Sequence, residues 1–391
     1  MGAINKMKPL LATISILFMT FGFAHGIKTI DNPEQPVKKD TGKILQLKEV
    51  LQIHDNDRSY YFKYPNDFKI SSNGDIFLCD ENQLLKFGPD GKFIKNFQKT
   101  GQGPQEVLWV TSYLLENEIL TIFGSRQNKI VVFNHETGEY IREFKLPLNS
   151  IYSAGQLFYR YDGCLFFHRL ETVESKGKIE LMDLDDRFMS LSPDGTQYEK
   201  HTAFSRKVFN GRTSGNSFLL TYSELLLCPA GGDLLYVSHT PEYNLKLYSF
   251  KTDSILYQFH RKYNRVEVTE ETRKYTPVGG FNRFRMGGGQ WYTPEVPKYH
   301  LDIQALFFVK GRLWVITSTT KDDKKVLVDV FDKNGVYEEN FYIECPPFLN
   351  PLEIRKWIKA IDRDFLYAVE EDKDGSHFIK KYKIEFFGTA R

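Results

Sequence analysis

Cysteine is scarce in this chain, with four in 391 residues. Cys79, Cys164, Cys228 and Cys345 lie far apart, with no CxxC pair and no histidine at zinc spacing, which argues against a structural zinc site. Cys79 and Cys164 fall in apolar runs (IFLCD, GCLFF), so the thiols read as small buried hydrophobes, although export would permit disulfides. Signature motifs are missing too: there is no GxxxxGK[ST], no HExxH and no GxSxG, and so no sequence warrant for a P-loop, a zincin or a nucleophile-elbow hydrolase. Gly101-Gln-Gly-Pro-Gln-Glu106 lacks the third glycine of a dinucleotide loop, and Pro104 removes an N–H donor. No apolar run is long enough to span a bilayer, because the longest, Leu10–Phe23, falls short of the ~20 residues required.

That short run has its own meaning. Residues 1–24 carry Lys6 and Lys8, no acid, and end on a small residue, Ala24, the pattern of a secretory signal peptide. A retained anchor is the alternative. The protein is therefore expected to be periplasmic or extracellular, with no transmembrane span once the signal is removed. Without those two lysines, basic and acidic residues balance at 50 each. A nucleic-acid binder normally shows a basic excess, so that partner class drops out. Residues 25–42, with two prolines and mixed charge, read as an extended leader, and residues 43–391 as one folded domain.

Within 43–391, aromatic and β-branched residues crowd into short runs separated by Gly, Asn and Asp, an all-β pattern. Only Glu270–Tyr275 and Leu352–Ile361 look helical. The runs repeat. One half-repeat is a turn residue followed by an apolar strand, as in Gly74-Asp-Ile-Phe-Leu, Gly163-Cys-Leu-Phe-Phe and Gly311-Arg-Leu-Trp-Val. The other is strand, turn, strand, as in QLLKFGPDGKFIKNF (83–97), KIVVFNHETGEYIREF (129–144) and VLVDVFDKNGVYEENF (326–341). Six copies describe a six-bladed β-propeller, in which four-stranded sheets pack radially and leave only short edges. About 340 residues give roughly 57 per blade, above the ~40–50 of compact repeats, and the excess is assigned to insertions at 171–178, 206–216 and 261–300. The sixth copy, 378–387, has no following turn, and Lys43–His54 is expected to supply its outer strand. A two-domain sandwich is the alternative, which the unbroken periodicity disfavours.

The segment GDIFLCDENQLLKFGPDGKFIKNFQKTGQGPQEV (74–107) resembles the NHL-type repeat of secreted bacterial six-bladed propellers. Gln105 and Val107 stand where that repeat usually has Gly and Phe. The resemblance is good over about 60 residues and implies fold far more than chemistry. By repeat position, Gly101–Glu106 then becomes an inter-blade turn.

Candidate functional residues follow from propeller geometry. The loops of one face should gather Arg126, His168, Arg169 and His239 over the channel, a positive cluster suited to an anionic or carbohydrate ligand. Each has solvated loop charge as its plainer reading. The 281–292 stretch, FNRFRMGGGQWY, adds Arg283, Arg285, Trp291 and Tyr292. Arg with aromatics is the composition of binding hot spots, so the stretch reads either as a lid or as a plug of the channel mouth. Two acidic runs, Asp183–Asp186 and Glu370–Asp374, are read as solvated turns. No cofactor is indicated, and a calcium or other divalent ion in the channel stays open. Three functions remain: a binding or scaffolding propeller for a peptide, glycan or protein partner, a metal-dependent hydrolase or lyase like the gluconolactonase-like propellers, and a structural part of the cell envelope.

Overall fold

The structure is a computed structural model. It describes residues 27–38, 42–56, 59–146, 155–172, 180–213, 216–220, 223–276, 284–285, 291–292, 296–322 and 324–387. Six blades, each of antiparallel strands, follow one another along the chain. Their innermost strands are Asn66–Ile70, Ser112–Glu116, Gln156–Tyr161, Leu225–Gly231, Ile303–Val309 and Ile358–Asp362. Within each blade the chain moves outward strand by strand, so every blade reuses the same local pairing and only the loops differ.

The core is divided accordingly. Six clusters of buried apolar side chains lie one between each pair of adjacent blades, the last joining blade six to blade one through Tyr367, Ile379, Phe68 and Ile76. Strand alternation explains this: in Val326–Phe331, Val326, Val328 and Val330 face blade six, while Phe331 faces blade four. A blade thus buries both faces only inside a closed ring.

Closure comes from the N-terminus, as the sequence suggests. Lys43–Ile53 pairs antiparallel with His377–Phe387, from Ile44 opposite Phe387 to Ile53 opposite Ile379. Its first three residues also pair parallel with Phe341–Ile343 of blade five, fusing blades five and six into one eight-stranded sheet. The preceding segment, read from sequence as a leader, is itself bound. Lys28–Asn32 adds a parallel fifth strand outside Ser254–Arg261 of blade four, and the N–H groups of Val37 and Lys38 donate to Tyr337 O and Glu338 O of blade five. Asn32 is the anchor. Its amide donates to Gly335 O (2.9 Å) and His260 O (3.1 Å), and its side-chain oxygen accepts from Tyr337 N (2.9 Å). Asn32→Ala leaves those buried groups without partners, and urea denaturation should show a loss of about 1–3 kcal/mol.

The outer hairpins turn at Gly91, Gly138, Gly195 and Gly335, all at positive φ. The blade-four copy, which lacks the glycine, uses Asp253 at φ 44°, a conformation that Asp tolerates better than most residues. Two expectations need correction. Glu270–Tyr275 holds only a 3-10 turn, Arg273–Tyr275. Leu352–Ile361 divides into a 3-10 turn, a four-residue helix Ile354–Trp357 and the innermost strand of blade six. The insertion at 206–216 becomes a strand extension: Tyr198–Thr213 runs 16 residues and pairs with Asn216–Leu220, a fifth strand of blade three.

Candidate functional site

Gly101–Glu106 is the inter-blade turn its repeat position implies. Glu106 Oε2 accepts from Gly103 N at 2.8 Å, and Lys129 Nζ donates to Gly103 O and Glu106 O. A Cβ at Gly101 would stand 2.0 Å from the Glu106 carboxylate, so a larger residue there would displace the Glu106 side chain from its bond to Gly103 N. These bonds tie the turn to blade two.

The channel itself is open between blades one, three and four. A cavity of about 610 Å³ is lined by Lys69, by Gln156–Phe158 and by Leu225–Leu227 of the three innermost strands, with His168, Arg206 and Glu224 at its side. It lies toward the face carrying the connections from one blade to the next, because Gln156 and Leu225 begin their strands. Lys69 Nζ sits 2.7 Å from Asp67 Oδ1 and 4.9 Å over the Tyr113 ring.

Beside this cavity stands a buried polar cluster centred on Asp186. The residue is fully buried, which corrects the reading of Asp183–Asp186 as a solvated turn. The run is part of the strand Glu180–Leu191, and alternation puts Asp186 on the face of Leu184 and Phe188, against blade four. His168 Nε2 lies 2.6 Å from Asp186 Oδ1, Arg206 Nε 2.6 Å from Oδ2, and His239 Nε2 3.8 Å from Oδ2. Burial alone would raise the Asp186 pKa, but the His168 and His239 hydrogens and the Arg206 charge outweigh it and bring it down to about 2. The carboxylate is therefore ionised and accepts only, so His168 Nε2 carries the hydrogen.

Of the residues singled out from sequence, His168 and His239 are brought together. His168 lies within the strand Cys164–Thr172 rather than in a loop. Arg169, the next residue, projects to the other face of that sheet. Arg126 sits in the 3-10 turn Ser125–Gln127, its guanidinium 5.6 Å from the Trp109 ring centroid. Arg283 lies outside the described residues, as do the side chains of Arg285, Trp291 and Tyr292. The described backbone there pairs antiparallel, with Phe284 opposite Tyr292 and Arg285 opposite Trp291. Sequence reasoning missed Arg206 and Asp186. The available signal was period two: Phe204-x-Arg206 and Leu184-x-Asp186-x-Phe188 place both on core-facing positions.

A second buried ion pair clamps the other side of blade four. Arg261 Nε lies 2.7 Å from Asp329 Oδ2, and the Tyr243 and Tyr337 hydroxyls each donate to that carboxylate at 2.6 Å. The acidic run at 370–374 is mixed. Asp372 accepts from the N–H groups of Asp374 and Ser376 in an exposed turn, whereas Glu370 is buried between Trp357, Tyr382 and Lys380.

The donor set does not suit a metal ion. Asp186, His168 and His239 come nearest, but the Arg206 guanidinium already occupies the second carboxylate oxygen. Among the described residues no group of three or more His, Cys, Asp or Glu side chains could hold a metal ion. All four cysteines are free thiols; Cys79, Cys228 and Cys345 are buried, and desolvation pushes Cys228 up to about 12. The three buried thiols are inert packing residues. No described helix is long and apolar enough to cross a membrane.

Residues 24–214 match the model of the DUF5128 family, described as a 6-bladed beta-propeller. No curated protein sequence matches the chain significantly. Among solved structures, the chain is similar to a Bacteroides fragilis protein inferred to be exported, at 14% identity and a TM-score of 0.52, covering 92% of this chain and 100% of that one. It is also similar to a gluconolactonase of Xanthomonas campestris, at 10% identity and a TM-score of 0.41, covering 89% and 99%. An aldose sugar dehydrogenase of Streptomyces coelicolor gives 11% identity and a TM-score of 0.43, covering 87% and 98%. At such identities the likeness concerns fold alone. Sheet order, the six inter-blade cores and the family match agree: the chain folds as a six-bladed β-propeller.

Proposed function

We propose that the protein is an exported binding propeller of the NHL-repeat type, which takes a segment of a peptide or protein partner, or a glycan, into the channel between blades one, three and four. The cavity there carries the reading. Apolar walls from Leu157 and Leu225–Leu227 meet a few placed polar groups, Lys69, Gln156, His168 and Arg206, the usual make-up of a ligand site. A peptide with an apolar side chain suits it better than a sugar, because the ring of Phe158 is engaged with Phe188 and Phe250 at 5.0 and 6.1 Å rather than offered for stacking. Arg126, Arg169 and His239, with Arg283, Arg285, Trp291 and Tyr292 from the long connection before blade five, are proposed as further contacts at the mouth. Export is supported by the N-terminal pattern and by the inferred export of the Bacteroides fragilis neighbour.

A thermal-shift screen with peptide and glycan libraries, alongside metal analysis of the purified protein, tests this reading. Gln156 is exposed on the innermost strand, so Gln156→Trp should leave stability within about 0.5 kcal/mol while filling the cavity and abolishing any ligand-induced shift. An unaltered shift in that variant would place the site elsewhere. Stoichiometric metal in the purified protein would favour the hydrolase or lyase reading instead.

A further inference from the structure

A separate pocket of about 640 Å³ lies where the N-terminal segment crosses from blade four to blade five. Glu34 and Gln35 of that segment, Arg261 and Asn264 at the end of blade four, and Thr320 and Tyr342 of blade five wall it. Asn32 and the Val37 and Lys38 N–H groups hold the segment on either side, so this wall belongs to the fold. Arg261 is the buried member, its side chain 5% exposed. Its Nε donates to Asp329 and its Nη1 to Lys262 O at 3.0 Å. No described residue accepts from Nη2, which is left to the pocket. Asn264 and Asn340 donate to Glu34 Oε1 and the Tyr337 hydroxyl at 2.9 and 2.8 Å. Their side-chain oxygens, the Gln35 amide and the Thr320 and Tyr342 hydroxyls have no hydrogen-bond partner among the described residues. Charge is balanced: the lining holds Arg261, Lys321 and Glu34, and Asp329 neutralises Arg261 from behind.

We propose that this pocket is a second binding site, separate from the channel, for a neutral sugar. The size falls in the ~300–1,000 Å³ range of ligand clefts. Any ligand that covers Arg261 Nη2 must accept a hydrogen bond from it, because a buried donor left unpaired costs more than an ordinary hydrogen bond returns. An apolar ligand would strand the amides and hydroxyls in the same way. Cations and carboxylates are matched, so no surplus charge rewards an ion. Sugar hydroxyls both donate and accept, as do the amides and hydroxyls offered here. Val266 and Leu327 add a small apolar surface for the C–H groups of the ring.

Isothermal titration of the full-length protein with glucose, galactose, cellobiose and lactose tests the proposal, with glucuronate and galacturonate as charged counterparts. Saturable binding at one site is expected for at least one neutral sugar, with neither uronate bound more tightly. Thr320→Val and Tyr342→Phe each remove one hydroxyl and should weaken that sugar roughly two- to tenfold, the worth of one neutral hydrogen bond. Asn264→Trp, at an exposed position, should fill the pocket and abolish binding with the melting temperature unchanged. Gln156→Trp, in the channel, should alter nothing. Absence of saturable binding by all four neutral sugars, a uronate bound more tightly than any of them, or an affinity indifferent to all three pocket substitutions would overturn the proposal. Binding abolished by Gln156→Trp would assign the sugar to the channel and overturn it as well.

Discussion

Deleting residues 25–56 is expected to give insoluble protein or a sharply lowered melting temperature. The strand Lys43–Ile53 carries Leu45 and Ile53 at 0% and 4% exposure, and fully burying two such side chains contributes roughly 3–6 kcal/mol. A domain's whole stability is about 5–15 kcal/mol, so the loss is of the same order. The deletion also strips the outer partner from His377–Phe387, and an open edge of that length invites pairing with another chain. It takes away the Asn32 anchor between blades four and five at the same time. Soluble yield and a thermal melt check this, and a truncated protein that melts like the full-length one would contradict closure by the N-terminal strand.

Asp186→Asn is expected to cost about 3–5 kcal/mol at neutral pH, because it leaves the buried Arg206 guanidinium without its counter-charge. The acid limb of the stability curve carries a second signature. Asp186 is depressed from its ordinary 3.8 to about 2 in the fold. Its contribution is therefore complete above the unfolded value near 4 and is lost as pH falls toward 2. A shift of that size corresponds to roughly 2 kcal/mol. Urea denaturation from pH 7 down to pH 2 should show the wild type losing this increment, and the variant, already weaker, losing correspondingly less. A cost below about 0.5 kcal/mol, as for an exposed site, would mean that Asp186 is not the buried centre of the blade three–four contact.

These two expectations also show where the sequence was informative. The six copies of strand and hairpin were legible because their second and third strands are apolar on both faces: Ile76–Asp80 and Gln83–Phe87 are buried at every position. The closing strand was legible because the last copy visibly lacked a partner. The innermost strands were harder, since they turn one side to the channel and mix polar with apolar residues, as in NDFKI (66–70) and IKAID (358–362). Ile358 and Ile361 of the second continue the helical spacing of Trp357, the last residue of the short helix, which explains why that helix was extended over the strand. The site was legible only in part. His168 and His239 drew notice because repeat register put them in loops of the channel face, but a buried acid inside an acidic run looks like surface until strand alternation sets its face. That alternation depends on the register between Cys164–Thr172 and Glu180–Leu191, which comes from long-range pairing.

The most direct test of the binding account is hydrogen exchange on the full-length protein, with and without the strongest hit of the peptide and glycan screen. Added protection is predicted at Gln156–Phe158 and Leu225–Leu227, the innermost strands that line the channel cavity, and should vanish in Gln156→Trp. Protection confined to the outer strands, or to the opposite face of the ring, would contradict it.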